Sequence, residues 1–285
     1  MFSTGNVTVY VSDLDSAIRF YTTQLGLRLT NRFGDRWATV DAGSSYWTTR
    51  EALAGLVIGL RPASAQYPAP GSTGGVGYGI EAYAPVEDVE ANLRSRGVRV
   101  TGEIIRYEAG NCFSFADLDG IRSYVNQFPP EMLDEAEQHQ TAYRQQVRTP
   151  LPSGGHAIVY VSDMDAAIRF YTETLGLKLT NRFENHFATA EVGRSLVLGI
   201  HPRTPNTPIP GTKGSVTLGL MVDEPLDKVV TRLAQRGVRL TGRSESAHSV
   251  DIEDLDGNVI TLWEAQAWTH ESSMRPSADL IATYR

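Results

Sequence analysis

The chain has 285 residues, carries a formal net charge of −7 at pH 7, and is 41% hydrophobic and 21% charged. This length and balance are typical of a globular protein of roughly two domains. The absence of a basic run argues against nucleic acid or an anionic membrane as a partner, and a single cysteine, Cys112, excludes an internal disulfide framework.

The N-terminal stretch lacks the basic and then apolar pattern of a secretory signal. No apolar run approaches the roughly 20 residues that a membrane-spanning helix needs. We therefore expect a soluble, cytoplasmic protein.

The first part of the chain predicts a βαβββ module. Residues 7–11 alternate in the manner of a half-buried strand, and Ser12-Asp13 supplies an N-cap for a helix that ends at Gly26. Three further strands are expected at 27–33, 37–40 and 55–61. A second module follows, with a strand at 76–82, a helix at 86–96, and strands near 98–105, 112–116 and 122–126.

The first module is then repeated. Residues 9–33 and 159–183 are identical at 20 of 25 positions, so the chain is a fused duplicate. A third module begins at His156 and a fourth at 216. The first half carries about ten additional residues, at 44–54, which include Tyr46 and Trp47. Two interpretations of this insertion stay open, a surface hairpin and an aromatic lid over a pocket.

These boundaries predict a first domain at 1–128 and a second at 156–265. Residues 129–155 between them are flanked by prolines and polar in the middle, which is typical of an extended linker or a connecting helix. Residues 266–285 form a polar C-terminal tail.

Several motifs of the two halves resemble those of the vicinal oxygen chelate superfamily. They are Val-Ser-Asp-Leu-Asp-x-Ala-Ile-x-Phe-Tyr from Val11, Leu-Gly-Leu from Leu25, and Asp-Leu-Asp-Gly-Asn from Asp254. The superfamily includes glyoxalase I, bleomycin-resistance proteins, fosfomycin-resistance enzymes and extradiol dioxygenases. The resemblance implies an α+β fold in which four βαβββ modules form two fused domains, with curved mixed β-sheets that enclose a pocket. It is less specific about function, because this fold hosts both enzymes and binding proteins.

The resemblance also implies where a metal would be held. Enzymes of this family bind a divalent metal (Fe, Mn, Ni or Zn) through His, Gln or Glu at the start of the first strand and in the last strand of each module. The matching positions, in chain order, are Asn6, Gly59, Gly75, Tyr124, His156, Gly199, Ser215 and Thr261. Only His156 is a plausible ligand, and one ligand cannot hold a catalytic metal. The main prediction is therefore no cofactor, and the alternative is a displaced metal on His156 and His201.

Aromatic and small residues are expected to line the pockets. Stacking on flat ligands suits such walls, although aromatic residues at strand spacing are also typical of a plain core. The predicted ligand-binding residues are Asn6, Trp37, Tyr46, Trp47, Tyr78, Phe187, Thr261 and Trp263.

Two classes of function remain open. In the first, the protein binds a small apolar or aromatic molecule without a metal. In the second it is a lyase, isomerase or dioxygenase that acts either without a metal, with His156 or Tyr124 as general acid or base, or with an atypical metal on His156. In both, the expected partner is a small molecule, and the protein is a monomer or a homodimer.

Overall fold

The structure is a computed structural model. It describes residues 2–48, 54–65, 69–107, 110–127, 150–152, 154–243 and 248–264. Residues 129–149 of the predicted linker (129–155) and the C-terminal tail at 266–285 lie outside the described residues. The two domain boundaries therefore stay predictions.

The described residues form four βαβββ modules, in the second of which two short segments (Arg99–Val100 and Ile105–Tyr107) take the place of one strand, and this confirms the predicted α+β fold. The first module contains strands β1 (Phe2–Val11), β2 (Arg28–Phe33), β3 (Trp37–Ser44) and β4 (Gly55–Pro62). The second contains β5 (Val76–Ala82), β6 (Arg99–Val100), β7 (Ile105–Tyr107), β8 (Gly110–Ala116) and β9 (Arg122–Gln127). The third contains β10 (Gly154–Val161), β11 (Lys178–Phe183), β12 (Phe187–Val192) and β13 (Leu196–Pro202). The fourth contains β14 (Val216–Val222), β15 (Arg239–Arg243), β16 (Ser249–Glu253) and β17 (Val259–Glu264).

Each module has one helix after its first strand. Helices α1 (Leu14–Arg19) and α3 (Met164–Arg169) continue into a π-helical turn, at Phe20–Gln24 and Phe170–Thr174, and the other helices are α2 (Val86–Ser95) and α4 (Leu226–Gln235). The duplicated Asp13 and Asp163 are N-caps, and Oδ1 of Asp13 accepts a hydrogen bond from the Ser16 backbone N–H at 2.7 Å. This bond satisfies one of the unpaired donors at the helix start. The repeated sequence therefore specifies the joint between strand and helix.

The sheets are assembled across the two halves of the chain. Strand β1 pairs with β14 in an antiparallel arrangement, and β10 pairs with β5 in the same way. One set of strands therefore runs β2-β3-β4-β1-β14-β17-β16-β15. The other runs β11-β12-β13-β10-β5-β9-β8, and β6 and β7 also pair with β8. In the described part of the chain, one β4–β13 pair, Gly55 with Leu196, connects the two sets. The first module thus combines with the fourth, and the third with the second.

Alternation along the central strands separates two faces of each sheet. In β1, Val7, Val9 and Val11 are buried in the hydrophobic core together with Ile18 and Tyr21 of the helical segment. The intervening residues of β1 point to the opposite face, since successive side chains of a strand alternate. It is on this second face that the candidate site residues lie. No helix in the described part of the chain is long and apolar enough to cross a membrane.

Candidate functional site

The face opposite the helices carries two equivalent sites, each centred on one residue of a first strand. Asn6 of β1 lies opposite Gly219 of β14, and His156 of β10 lies opposite Gly79 of β5. We call these the Asn6 site and the His156 site. Because each strand pair joins the two halves, each site contains residues from both halves of one chain.

Each site has two glycines, and an aromatic ring lies against each glycine. In the Asn6 site a Cβ atom on Gly59 would overlap the indole of Trp37, and one on Gly219 would overlap the indole of Trp263. In the His156 site, a Cβ atom on Gly79 would stand 2.6 Å from ring atoms of Tyr124, and one on Gly199 would stand 2.9 Å from ring atoms of Phe187. All four glycines therefore make room for rings, and four of the aromatic residues predicted from the sequence lie in these two sites.

In the His156 site, the histidine is held between a carboxylate and a phenol. His156 is only 2% exposed; its Nδ1 lies 3.0 Å from Oε1 of Glu81, and its Nε2 lies 3.1 Å from the Tyr124 hydroxyl. Carboxylate oxygens accept, so Nδ1 carries the imidazole proton and Nε2 accepts from the Tyr124 hydroxyl. Burial raises the pKa of Tyr124 well above its usual value, which keeps the phenol protonated as this donor.

The insertion of the first half contacts the His156 site. The Ser45 hydroxyl donates to Oε1 of Glu81 and the Tyr46 backbone N–H donates to Oε2, each at 2.6 Å. The Trp47 ring packs against Phe187 at a centroid distance of 5.8 Å and is 8% exposed. This packing does not fit a surface hairpin and agrees with a segment that covers the site, although residues 49–53 are not described.

His201 lies beside the His156 site with its own backbone partner. Its Nδ1–H donates to the Pro202 carbonyl at 2.7 Å, and its ring lies 5.5 Å from that of Tyr160 and 6.3 Å from that of Phe187. Burial, with a smaller contribution from nearby His156, lowers the pKa of His201. A neutral, hydrogen-bonded imidazole is the form that these surroundings favour.

The Asn6 site has a different polar centre. Asn6 is 6% exposed, and its Nδ2 donates to the Val7 carbonyl at 3.2 Å. Within the described residues, no group donates to its Oδ1. Thr261, the other predicted polar residue, donates its hydroxyl to Oδ1 of Asp251 at 2.8 Å and so has an intramolecular partner.

The register corrects two of the positions assigned from the resemblance. Gly75 and Ser215 do not face the site residues; instead their carbonyls accept from the backbone N–H groups of Tyr160 and Tyr10. The residues that lie opposite His156 and Asn6 come four positions later, at 79 and 219.

A divalent metal does not fit either set of residues. The corrected positions hold one imidazole, one phenol and two glycines in the His156 site, and one amide, one hydroxyl and two glycines in the Asn6 site. The one carboxylate of the His156 site, Glu81, already accepts hydrogen bonds from Ser45 and Tyr46. Both ring nitrogens of His156 already have protein partners, and His201 uses its Nδ1 on the backbone. The described part of the chain contains no group of three or more His, Cys, Asp or Glu side chains that could hold a metal ion. Three or more such ligands are the usual requirement.

Tyr78 lies outside both sites. Its side chain is 1% exposed within the hydrophobic core, and its hydroxyl lies 2.8 Å from that of Tyr21. The Tyr21 hydroxyl in turn donates to Asp117, whose pKa burial raises to about 6. Tyr78 therefore belongs to a polar network on the helix side of the sheet, and the expectation that it binds a ligand does not match its position.

Glu81 is the site residue that sequence reasoning missed. It is fully buried and joins the insertion to His156. The sequence did contain an indication of this role. Glu81 is the only charged residue of the apolar segment 76–82, and it lies on the same face of that strand as Gly77 and Gly79. The matching position of the fourth module, Met221, carries no charge.

Comparison with known proteins gives one family. The model described as "Glyoxalase/Bleomycin resistance protein/Dioxygenase superfamily" matches residues 4–123 and 154–262. The crystal structure of glyoxalase I from Zea mays is similar to this chain with a TM-score of 0.62 and 17% identity, covering 94% of this chain and 95% of that one. At this identity the likeness shows the fold alone. Virulence protein STM3117 from Salmonella typhimurium is 29% identical over 118 residues, which cover 38% of this chain and 80% of that protein.

Proposed function

The chain belongs to the Glyoxalase/Bleomycin resistance protein/Dioxygenase superfamily, and we propose that it binds a small, flat, largely apolar organic molecule without a divalent metal. The ligand lies against the aromatic rings on the face opposite the helices. Proteins of this family bind small-molecule ligands or substrates, so the proposal adds the chemistry of the ligand and the absence of a metal.

The observation that carries this proposal is the pairing of glycines with aromatic rings. Four positions that face the site centres are glycines, which offer no metal donor, and the rings of Trp37, Tyr124, Phe187 and Trp263 lie against them. The residues that carry these four rings are each partly exposed, and in the proposed complex the ring of the ligand lies against them. Offset or edge-to-face contacts between aromatic rings stabilise such complexes by about 0.5–1.5 kcal/mol beyond the area that they bury.

Metal content and ligand binding test the proposal together. The purified full-length chain is dialysed and its bound Fe, Mn, Ni and Zn are measured, and a set of flat aromatic compounds and matched aliphatic compounds is then screened by thermal shift. We expect less than stoichiometric metal and a rise in melting temperature with aromatic compounds only. A stoichiometric metal that resists dialysis, or equal stabilisation by aliphatic compounds, contradicts the proposal.

A second candidate function is favoured by the contacts of His156. Glu81 orients the imidazole ring of His156 by accepting from its Nδ1–H. The other ring nitrogen, Nε2, faces Tyr124 and is the basic nitrogen. A carboxylate that orients an imidazole is the arrangement used in general acid–base catalysis. In this function a ligand displaces the Tyr124 hydroxyl from Nε2, and His156 removes a proton from the ligand.

Hydrogen exchange at carbon tests this second function. Ligands found in the thermal-shift screen are incubated with the protein in D2O, and deuterium incorporation at their acidic C–H positions is followed by NMR. Catalysis by His156 predicts incorporation that is lost in His156→Gln and reduced in Glu81→Gln, while Tyr78→Phe, on the other face, leaves it unchanged. Incorporation that persists in His156→Gln rules this function out.

A further inference from the structure

The Asn6 site contains a buried polar atom that the protein itself does not satisfy. Asn6 is more than nine-tenths buried, and no described group donates to its Oδ1. An unsatisfied buried acceptor costs about 1–3 kcal/mol, so such atoms are uncommon in folded proteins, and each one calls for an explanation such as a functional role or a bound water or ion.

The orientation of the Asn6 amide follows from its neighbours. Its nitrogen faces the Val7 carbonyl, which can only accept, so the oxygen must point the other way. There the oxygen lies 2.9 Å from the point where a Gly219 Cβ would stand, and the indole of Trp263 lies against that same point. The nitrogen side is equally close to Gly59, where the indole of Trp37 lies. The amide is therefore flanked by two indoles, with its acceptor on the side of Trp263.

The equivalent position in the second half shows that this arrangement is particular to the Asn6 site. His156 occupies the matching position, and both of its nitrogens have protein partners. The carboxylate that serves His156 comes from Glu81, whereas the matching residue near Asn6 is Met221. The carboxylate of Asp251, in the same sheet, already accepts from Thr261. Among the described residues, no charged side chain is in hydrogen-bonding contact with Asn6. A ligand here therefore bears no net charge, because burying an unpaired charge is costly.

We propose that the Asn6 site binds a neutral, flat heteroaromatic or phenolic molecule whose N–H or O–H donates to Asn6 Oδ1 while its ring lies against Trp37 and Trp263. This inference rests on the proposed function, since it specifies the ligand chemistry of one of the two sites. The inference distinguishes the two sites, because a ligand of the Asn6 site needs a hydrogen-bond donor and a ligand of the His156 site does not.

Indole and 1-methylindole are the probes that test this inference. They share one ring system and differ in the single N–H donor. Each is titrated into the full-length protein labelled with 15N, and the indole N–H signals of Trp37 and Trp263 are followed by NMR. We expect indole to bind about fivefold more tightly, which is the affinity ratio of one neutral hydrogen bond.

Variants assign this preference to Asn6. Asn6→Leu keeps the branched shape of the side chain and removes the acceptor, so the affinity ratio of the two probes falls to about one. Trp263→Leu weakens the binding of both probes equally, because it removes ring contact without touching the acceptor. Tyr78→Phe, in the hydrophobic core on the other face of the sheet, leaves the ratio unchanged. A second measurement that needs no variant is the 13C shift of Asn6 Cγ, which moves with indole and not with 1-methylindole.

The outcomes separate this inference from the proposed function. Equal affinity of the two probes for the unmodified protein, or a preference for indole that persists in Asn6→Leu, overturns the inference while the proposed function stands. If neither probe shifts the signals of Trp37 and Trp263, the inference fails. If no aromatic compound binds at either site, the proposed function fails as well.

Discussion

Replacing Glu81 tests whether the buried contacts of the His156 site hold the insertion in place. Glu81 is fully buried and accepts from Ser45 and from the Tyr46 backbone N–H, in addition to its contact with His156 Nδ1. Glu81→Met introduces the residue that occupies the matching position of the fourth module, so the strand tolerates its shape. The change leaves three donors without an acceptor.

The expected cost follows from the loss of one partner in a buried pair. A buried donor left without an acceptor costs about 1–3 kcal/mol, so the loss at three donors is a large share of the 5–15 kcal/mol or so by which folded proteins are stable. For a chain of this size the melting temperature falls by on the order of 10 °C. The Tyr46 amide proton exchanges faster with solvent, because it has lost its acceptor.

Urea unfolding followed by fluorescence and circular dichroism measures the change in free energy of unfolding. The matched control is Met221→Leu, which conserves volume and is expected to cost less than about 1.5 kcal/mol. The double variant Glu81→Met with His156→Asn copies the residue pair of the other site. Its cost should be smaller than the sum of the two single costs by about 2 kcal/mol, since neither partner is then left alone.

Two results refute this reasoning. In the first, Glu81→Met destabilises the protein no more than Met221→Leu does. In the second, the effects of Glu81→Met and His156→Asn add within about 0.5 kcal/mol, as they do for residues that do not interact. Either result means that Glu81 and His156 do not form the buried pair.

Three further variants test other parts of the two sites. Asn6→Leu removes an unsatisfied buried acceptor, so the free energy of unfolding rises by about 1–2 kcal/mol in urea titrations; a loss of stability contradicts this. Gly59→Ala places a Cβ on the indole of Trp37, so it costs about 1–3 kcal/mol and shifts the Trp37 N–H signal, whereas Gly102→Ala, which has no neighbour within 4 Å, stays within about 0.5 kcal/mol. Tyr78→Phe loses a core hydrogen bond at a cost of about 1 kcal/mol and leaves the affinity for indole unchanged; weaker binding of indole would place Tyr78 near a site.

Local pattern was enough to predict the modules, because each signal acts within a few residues. Asp13 caps its helix through a neighbour three residues away, and the strand periodicity of 7–11 matches the buried face of β1. The duplication then extends these predictions to the second half. The candidate-site roles of His156 and of the four ring residues were also inferred from position within a module, and these roles stay predictions.

The composition of each site could not be predicted in the same way, because strand partners are set by contacts between distant segments. Nothing in residues 76–82 specifies that Gly79 lies opposite His156. The error at Tyr78 has a different origin: a shift of one residue moves a side chain to the other face. Tyr78 lies on the same face of the strand as the core residues Val76 and Ile80. The alternate residues Gly77, Gly79 and Glu81 lie on the face that carries the site.

Construction across the halves explains why two similar modules support two different sites. The first and third modules supply the site centres and are close copies, so their strands and helices place Asn6 and His156 equivalently. The second and fourth modules have diverged further, and each faces the centre that lies in the opposite half. Glu81 therefore supports His156, and Met221 leaves Asn6 without a charged partner. Separated halves would expose the pairing edges of β1 and β5 and would lack one wall of each site. Both sites, and the difference between them, therefore depend on the two halves being paired in one chain.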